Sequence, residues 1–179
     1  AVKGTGDPRD VERHGTHVAG TIGAVGNNGI GITGVAWQVS IGACRFLGAE
    51  GSGTTADAIT CLAYVADLVA SGVNVVATNN SWGGGAYSRA LGEAIAEQRQ
   101  LGVLFVAAAG NSSEDVDRLP EWPCAYDSPN VICVASAYDG HSPFSNYGVS
   151  TAHVAAPGDG IWSTVPGNQY DALDGTSMA

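Results

Sequence analysis

A chain of 179 residues, 45% hydrophobic and 13% charged, is long enough to bury one core and too apolar to remain disordered. Its formal charge of −10 argues against a nucleic-acid surface, which needs a basic face to meet phosphate. No apolar run of about 18 residues is present to span a membrane, and the polar, turn-rich residues 1–10 do not read as a signal peptide.

In chain order, residues 1–13 read as a loop, rich in Gly, Asp and Arg with a proline at position 8. Residues 14–24, HGTHVAGTIGA, predict a short buried helix of small residues with His14 in its first turn. A turn-forming loop follows at 25–34, a strand is expected at 39–47 (VSIGACRFL), and a flexible loop at 48–53. Residues 54–71 carry a helical period, with Ala58, Ile59, Leu62, Val65, Ala66 and Val69 on one face and Gly72 as the stop. A buried strand at 73–78, an amphipathic helix at 88–100 and an apolar strand at 103–109 come next. The polar, proline-containing stretch 112–130 reads as a long surface loop, and 131–137 as another buried strand. Extended pieces at 152–156 and 160–165 precede a loop to Ser177. Apolar strands alternating with helices specify one α/β domain over 1–179, a doubly wound, mostly parallel sheet with helices on both faces.

The four cysteines allow three pairings. Cys44 with Cys61 and Cys124 with Cys133 would each staple a strand to a neighbouring segment, the first for roughly 3 kcal/mol of loop-closure stabilisation. The competing reading is four small buried hydrophobes. Disulfides would favour an extracellular compartment.

Ligand sites of such sheets lie at the carboxyl ends of the strands. Ser81 and Asn111 follow strands there, while His14 and Ser177 stand at expected helix starts. A histidine can take a serine proton and return it to a leaving group, and an asparagine amide at a strand end can donate to a developing oxyanion. Each residue also has a plain structural use: Ser177 as a helix N-cap, Asn111 in a Gly-Asn turn. His14 and His17 share a face, but no acidic residue accompanies them in the HExxH manner, which argues against zinc.

Four segments, HGTHVAG (14–20), SWGG (81–84), AAGN (108–111) and GTSMA (175–179), occur in the order seen in the subtilisin-like serine peptidases, and the chain resembles that family over nearly its whole length. The resemblance implies an endopeptidase with His14 as base and Ser177 as nucleophile. Asn111 and the Ser177 amide would receive the oxyanion. It also implies that Ser81, Trp82 and Gly83 form an edge strand for polypeptide substrates, faced by Gly51, Ser52 and Gly53. Ala108, Ala109 and Gly110 would wall the pocket for the residue before the scissile bond, with a broad preference for large apolar side chains there. The loop around Gly26, Asn28, Ile30 and Ile32 resembles a calcium loop, with Asn28 as the side-chain ligand and the ion structural, since the chemistry needs no cofactor. A secreted monomer is expected.

The family's triad aspartate lies upstream in an Asp-Thr/Ser-Gly setting, and neither Asp7 nor Asp10 stands in one. Loss of that carboxylate costs on the order of 10⁴ in turnover. The sequence is therefore expected to be an internal piece of a peptidase domain, cut at both ends and inactive by itself. The alternative is a catalytically dead domain serving as a binding or structural module. An α/β-hydrolase is disfavoured because its nucleophile precedes its histidine.

Overall fold

The computed structural model describes residues 6–138 and 140–179; residues 1–5 of the expected first loop lie outside the described residues. Two capped helices set one face of the molecule. The Thr54 hydroxyl accepts from Asp57 N–H at 3.1 Å and donates to its carboxylate at 2.6 Å, opening α2 (Thr55–Ala70). Ser88 accepts from Leu91 N–H at 3.3 Å and opens α3 (Arg89–Gln100). Each cap satisfies a donor that the helix cannot pair internally.

Leu62 of α2 and Leu91 and Ile95 of α3 pack in one core with Phe105 and Ala107 of β2 (Leu104–Ala108) and Val131, Cys133 and Ala135 of β3 (Val131–Ser136). These strand residues are every second one, so they point to the same side of the sheet. With β1 (Ala77–Asn80) and β4 (Val154–Ala156) the sheet runs β1-β2-β3-β4, every neighbouring pair parallel. Asn80, Ala108, Ser136 and Ala156 therefore all emerge at the same edge, as the expected α/β architecture requires.

An antiparallel hairpin, β5 (Ile161–Val165) and β6 (Gln169–Leu173), carries α1 (His14–Gly23). Ser163 donates to His17 O at 2.6 Å and Thr164 to Thr16 O at 3.0 Å. The helix comes this close because Gly20 has no side chain: a Cβ there would overlap both hydroxyls.

Three expectations shift. Residues 39–47 form no strand; they have no ladder partner, and Val39 and Ile41 stay exposed. The strand expected at 73–78 is β1 at 77–80, because pairing begins only where Leu104 N–H reaches Val76 O at 3.1 Å. β6 lies inside the segment read as loop, its alternation being too short to stand out. Thr176–Met178 form a turn, closed by Met178 N–H to Gly175 O at 3.0 Å. Both local cysteine pairs are bonded, Cys44–Cys61 and Cys124–Cys133.

Replacing Gly20 by Ala in the complete protein should cost about 1–3 kcal/mol, because the Ser163 and Thr164 hydroxyls cannot retreat without losing their bonds to α1. Thermal unfolding reads this as a Tm lowered by several degrees, and an unchanged Tm contradicts the close docking.

Candidate active site

The turn bearing Ser177 is gripped from two strand ends. From β1, Ser81 Oγ donates to Ser177 O at 3.0 Å, and Ser177 Oγ donates back to Ser81 O at 3.3 Å. From β2, Gly110 N–H donates to the buried Thr176 hydroxyl at 3.1 Å, and that hydroxyl donates to Asn111 Oδ1 at 2.9 Å. Thr176 N–H reaches the same Oδ1 at 2.9 Å. Gly110 has φ 101°, a left-handed value that favours glycine, and it turns the chain from β2 into Asn111.

Two donors are left over. Because Asn111 Oδ1 accepts twice, its Nδ2 is fixed as the free end of the amide, and it has no hydrogen bond among the described residues. The Ser177 N–H is likewise unspent. A cavity of about 190 Å³ opens beside them, lined by Trp82 and Gly83 beyond β1, by Ala108, Gly110 and Asn111 at the end of β2, and by Thr176 and Ser177. Glu121, from the long loop, lines it too.

His14 begins α1 and is half-buried. Burial pushes its pKa down from the ordinary histidine value; the Glu12 and Asp10 carboxylates oppose that push, and His17 adds to it. The net direction favours the neutral, proton-accepting ring at neutral pH. The ring makes no hydrogen bond to Ser177, whose hydroxyl is turned to Ser81 O. Asp10 serves the helix rather than the ring: its oxygens accept from Glu12 and Arg13 N–H at 2.9 and 3.0 Å, and from the Thr16 N–H and hydroxyl at 2.8 and 2.7 Å. Burial alone would raise its pKa, but these bonds from Arg13, Thr16 and Glu12 outweigh it and hold the carboxyl at about 2. His17 is fully buried, with Nε2 against Ile161 O at 2.9 Å and Asp171 O at 3.2 Å. Facing two carbonyls, that nitrogen carries the proton and the residue fastens α1 to the hairpin.

The remaining sequence candidates divide. Ala109 is buried behind the cavity wall, donating to Val134 O at 2.8 Å and accepting from Asn146 Nδ2 at 2.9 Å. Gly51, Ser52 and Gly53 lie in an exposed turn closed by Gly48 N–H to Ser52 O at 2.9 Å and do not line the cavity. In the 26–32 loop, Asn28 Oδ1 already accepts from Ile30 N–H at 3.0 Å, and the other candidate ligands are the carbonyls of Gly26, Ile30 and Ile32. These four neutral oxygens, one of them engaged, fall short of the six to eight that calcium takes. The loop by itself supplies only part of such a set, and no chemistry is routed through an ion.

Thr176 and Glu121 were not among the residues singled out from sequence. Thr176 lies in the GTSMA segment next to Ser177, and that adjacency is the readable signal. Glu121 sits in a loop without periodicity, where no local pattern distinguishes it.

Removing the Glu12 charge should move the His14 titration further down, since that carboxylate raises its pKa. The check is the His14 Cε1–H NMR resonance, with a midpoint below about 6.5 in the wild type and lower still in Glu12→Gln. A midpoint that rises contradicts the assignment.

The Subtilase family model matches residues 2–179. The chain is 39% identical over 172 residues to thermitase of Thermoactinomyces vulgaris, covering 96% of this chain and 58% of that protein. It is 37% identical over 179 residues to subtilisin DY of Bacillus licheniformis, covering 99% and 63%. A Plasmodium falciparum relative, subtilisin-like protease 2, is 36% identical over 183 residues, covering 97% and 13%. The solved structure of a cold-adapted subtilisin-like serine proteinase matches with a TM-score of 0.79 at 40% identity, over 95% of this chain and 57% of that one. The chain thus spans less than two thirds of the length of these relatives.

Proposed function

This chain belongs to the subtilase family, and from that premise we propose that its protein is a serine endopeptidase acting through an acyl-serine intermediate. The observation that carries the reading is the pair of unspent donors, Asn111 Nδ2 and the Ser177 N–H, beside a hydroxyl and a cavity. Donors held in place before charge develops act at no reorganisation cost, and this is the requirement for stabilising an oxyanion.

In this reading Ser177 turns its hydroxyl from Ser81 O toward His14 as substrate binds. Such contacts commonly tighten only when substrate binds. His14 takes the proton as Ser177 Oγ attacks the peptide carbonyl, and Asn111 and the Ser177 amide receive the oxyanion. As the tetrahedral species collapses, His14 gives the proton to the departing amine. Water then attacks the acyl-serine with His14 again as base, releasing the acid and the free hydroxyl.

The backbone groups of Trp82 and Gly83 make no hydrogen bond among the described residues, so they are free to pair with an extended peptide by strand addition. Gly51, Ser52 and Gly53 are proposed as the facing strand. Trp82 and Ala108 give the cavity apolar surface for a large side chain before the scissile bond. The two disulfides suit an oxidising, extracellular compartment, and no helix among the described residues is long and apolar enough to cross a membrane. The contact of Ser177 with Ser81 O instead of His14 favours a second reading, an inert binding module.

Labelling with a fluorophosphonate separates the two. The complete protein should label at Ser177 and Ser177→Ala should not; an unlabelled wild type supports the inert module, and undiminished labelling of the variant overturns the role of Ser177. Asn111→Ala should lower kcat about 10²–10³-fold, the cost of removing one such donor in a related serine peptidase, with KM little changed.

A further inference from the structure

We propose that Glu121 sets the side chain this site accepts before the scissile bond, selecting a long basic residue, Lys or Arg. The proposal rests on the endopeptidase reading above and names its substrate class. Glu121 lines the same cavity as Ser177. A Cβ built on Gly83 would sit 2.6 Å from its Oε1, and one built on Gly110 would sit 3.1 Å from its Cγ. The side chain therefore lies between the segment that leaves β1 and the one that leaves β2, close against both glycines.

Its backbone is held. Ala125 N–H donates to Glu121 O at 2.8 Å, Gly84 N–H donates to Trp122 O at 3.1 Å, and Cys124 bonds Cys133 of β3. The carboxylate, by contrast, has no hydrogen bond or ion pair among the described residues, although the residue is half-buried. Four arginines that might have paired with it are committed elsewhere: Arg9 to Asp7, Arg13 to Asp171, Arg89 to Glu93 and Arg118 to Asp115.

An unpaired, half-buried carboxylate lining a cavity discriminates in two ways. A lysine or arginine lays its methylene stem along Trp82 and Ala108 and brings its cationic end to Glu121. An apolar side chain of the same length strips water from the carboxylate and returns nothing. The apolar walls expected from sequence are thus retained as the lining for the stem, and the charge selects what stands at its end.

The test uses the complete protein and tetrapeptide anilides that differ only before the scissile bond, with Lys, Met, Phe or Glu there. Rates are normalised to the fraction of protein labelled by fluorophosphonate, so that poorly folded variants do not imitate a loss. Wild type should prefer Lys to Met. Glu121→Gln should lower the Lys-to-Met ratio of kcat/KM by about 10- to 100-fold, and Glu121→Lys should raise the Glu-to-Lys ratio above one. A wild type that prefers Met or Phe to Lys, or a Lys-to-Met ratio that does not move in Glu121→Gln, overturns the role of Glu121. In both cases the peptidase reading stands, because the substrates are still cut. A wild type that neither labels nor cleaves any of the four overturns both.

Discussion

The parallel pairing of β2 with β1 on one side and β3 on the other is the constraint on which the site depends. Parallel strands share one carboxyl edge, so Ser81 and Asn111 emerge together although 30 positions separate them in sequence. The Ser177 turn then needs only two anchors, the Ser81–Ser177 exchange and the Gly110–Thr176–Asn111 relay. A slip of one residue between β1 and β2 would turn every side chain of the slipped strand to the opposite face. It would separate the anchors as well, so the ladder that builds the core also sets where Asn111 Nδ2 and the Ser177 N–H stand.

The sheet's helix-covered face is apolar, and the approach to the site is organised by buried polar groups instead. Asn146 donates to Ala109 O at 2.9 Å and accepts from Ser112 and Glu114 N–H at 2.9 and 3.0 Å, while its own N–H reaches Gly110 O at 2.9 Å. Ser145 accepts from Ser136 N–H at 2.9 Å, and Ser136 and Ser142 share a hydrogen bond at 2.8 Å. A satisfied network of this kind fixes one arrangement, because breaking any member leaves a buried group unpaired. The residues on either side of Asn111 are thereby held from below, with the amide itself exposed to the cavity.

Most of the architecture was legible in the sequence because the periodic segments are long and closed by glycine or capped by threonine and serine. The boundaries of α1, α2 and α3 and of β2 and β3 fall within a residue or two of expectation for that reason. What failed was non-local. Residues 39–47 have strand composition but no partner, and a strand is a property of a pair. In the site, His14, Ser81, Asn111 and Ser177 were visible as chemistry-bearing residues at element ends, and their roles came from the order of four short segments. Glu121 could not be found that way. It joins the cavity only because loop 112–130 folds back over Gly83 and Gly110, a contact between segments with no shared local pattern.

The Cys44–Cys61 bond has a further consequence for a protein read as a peptidase. It spans the exposed turn at 48–53, the kind of surface segment that proteolysis attacks first. A cut there leaves the two ends tethered through sulfur and the chain on each side still seated, Phe46 against Trp82 with ring centroids 5.3 Å apart and Thr54 on the start of α2. A chain cut there therefore stays one covalent molecule until the disulfide is reduced.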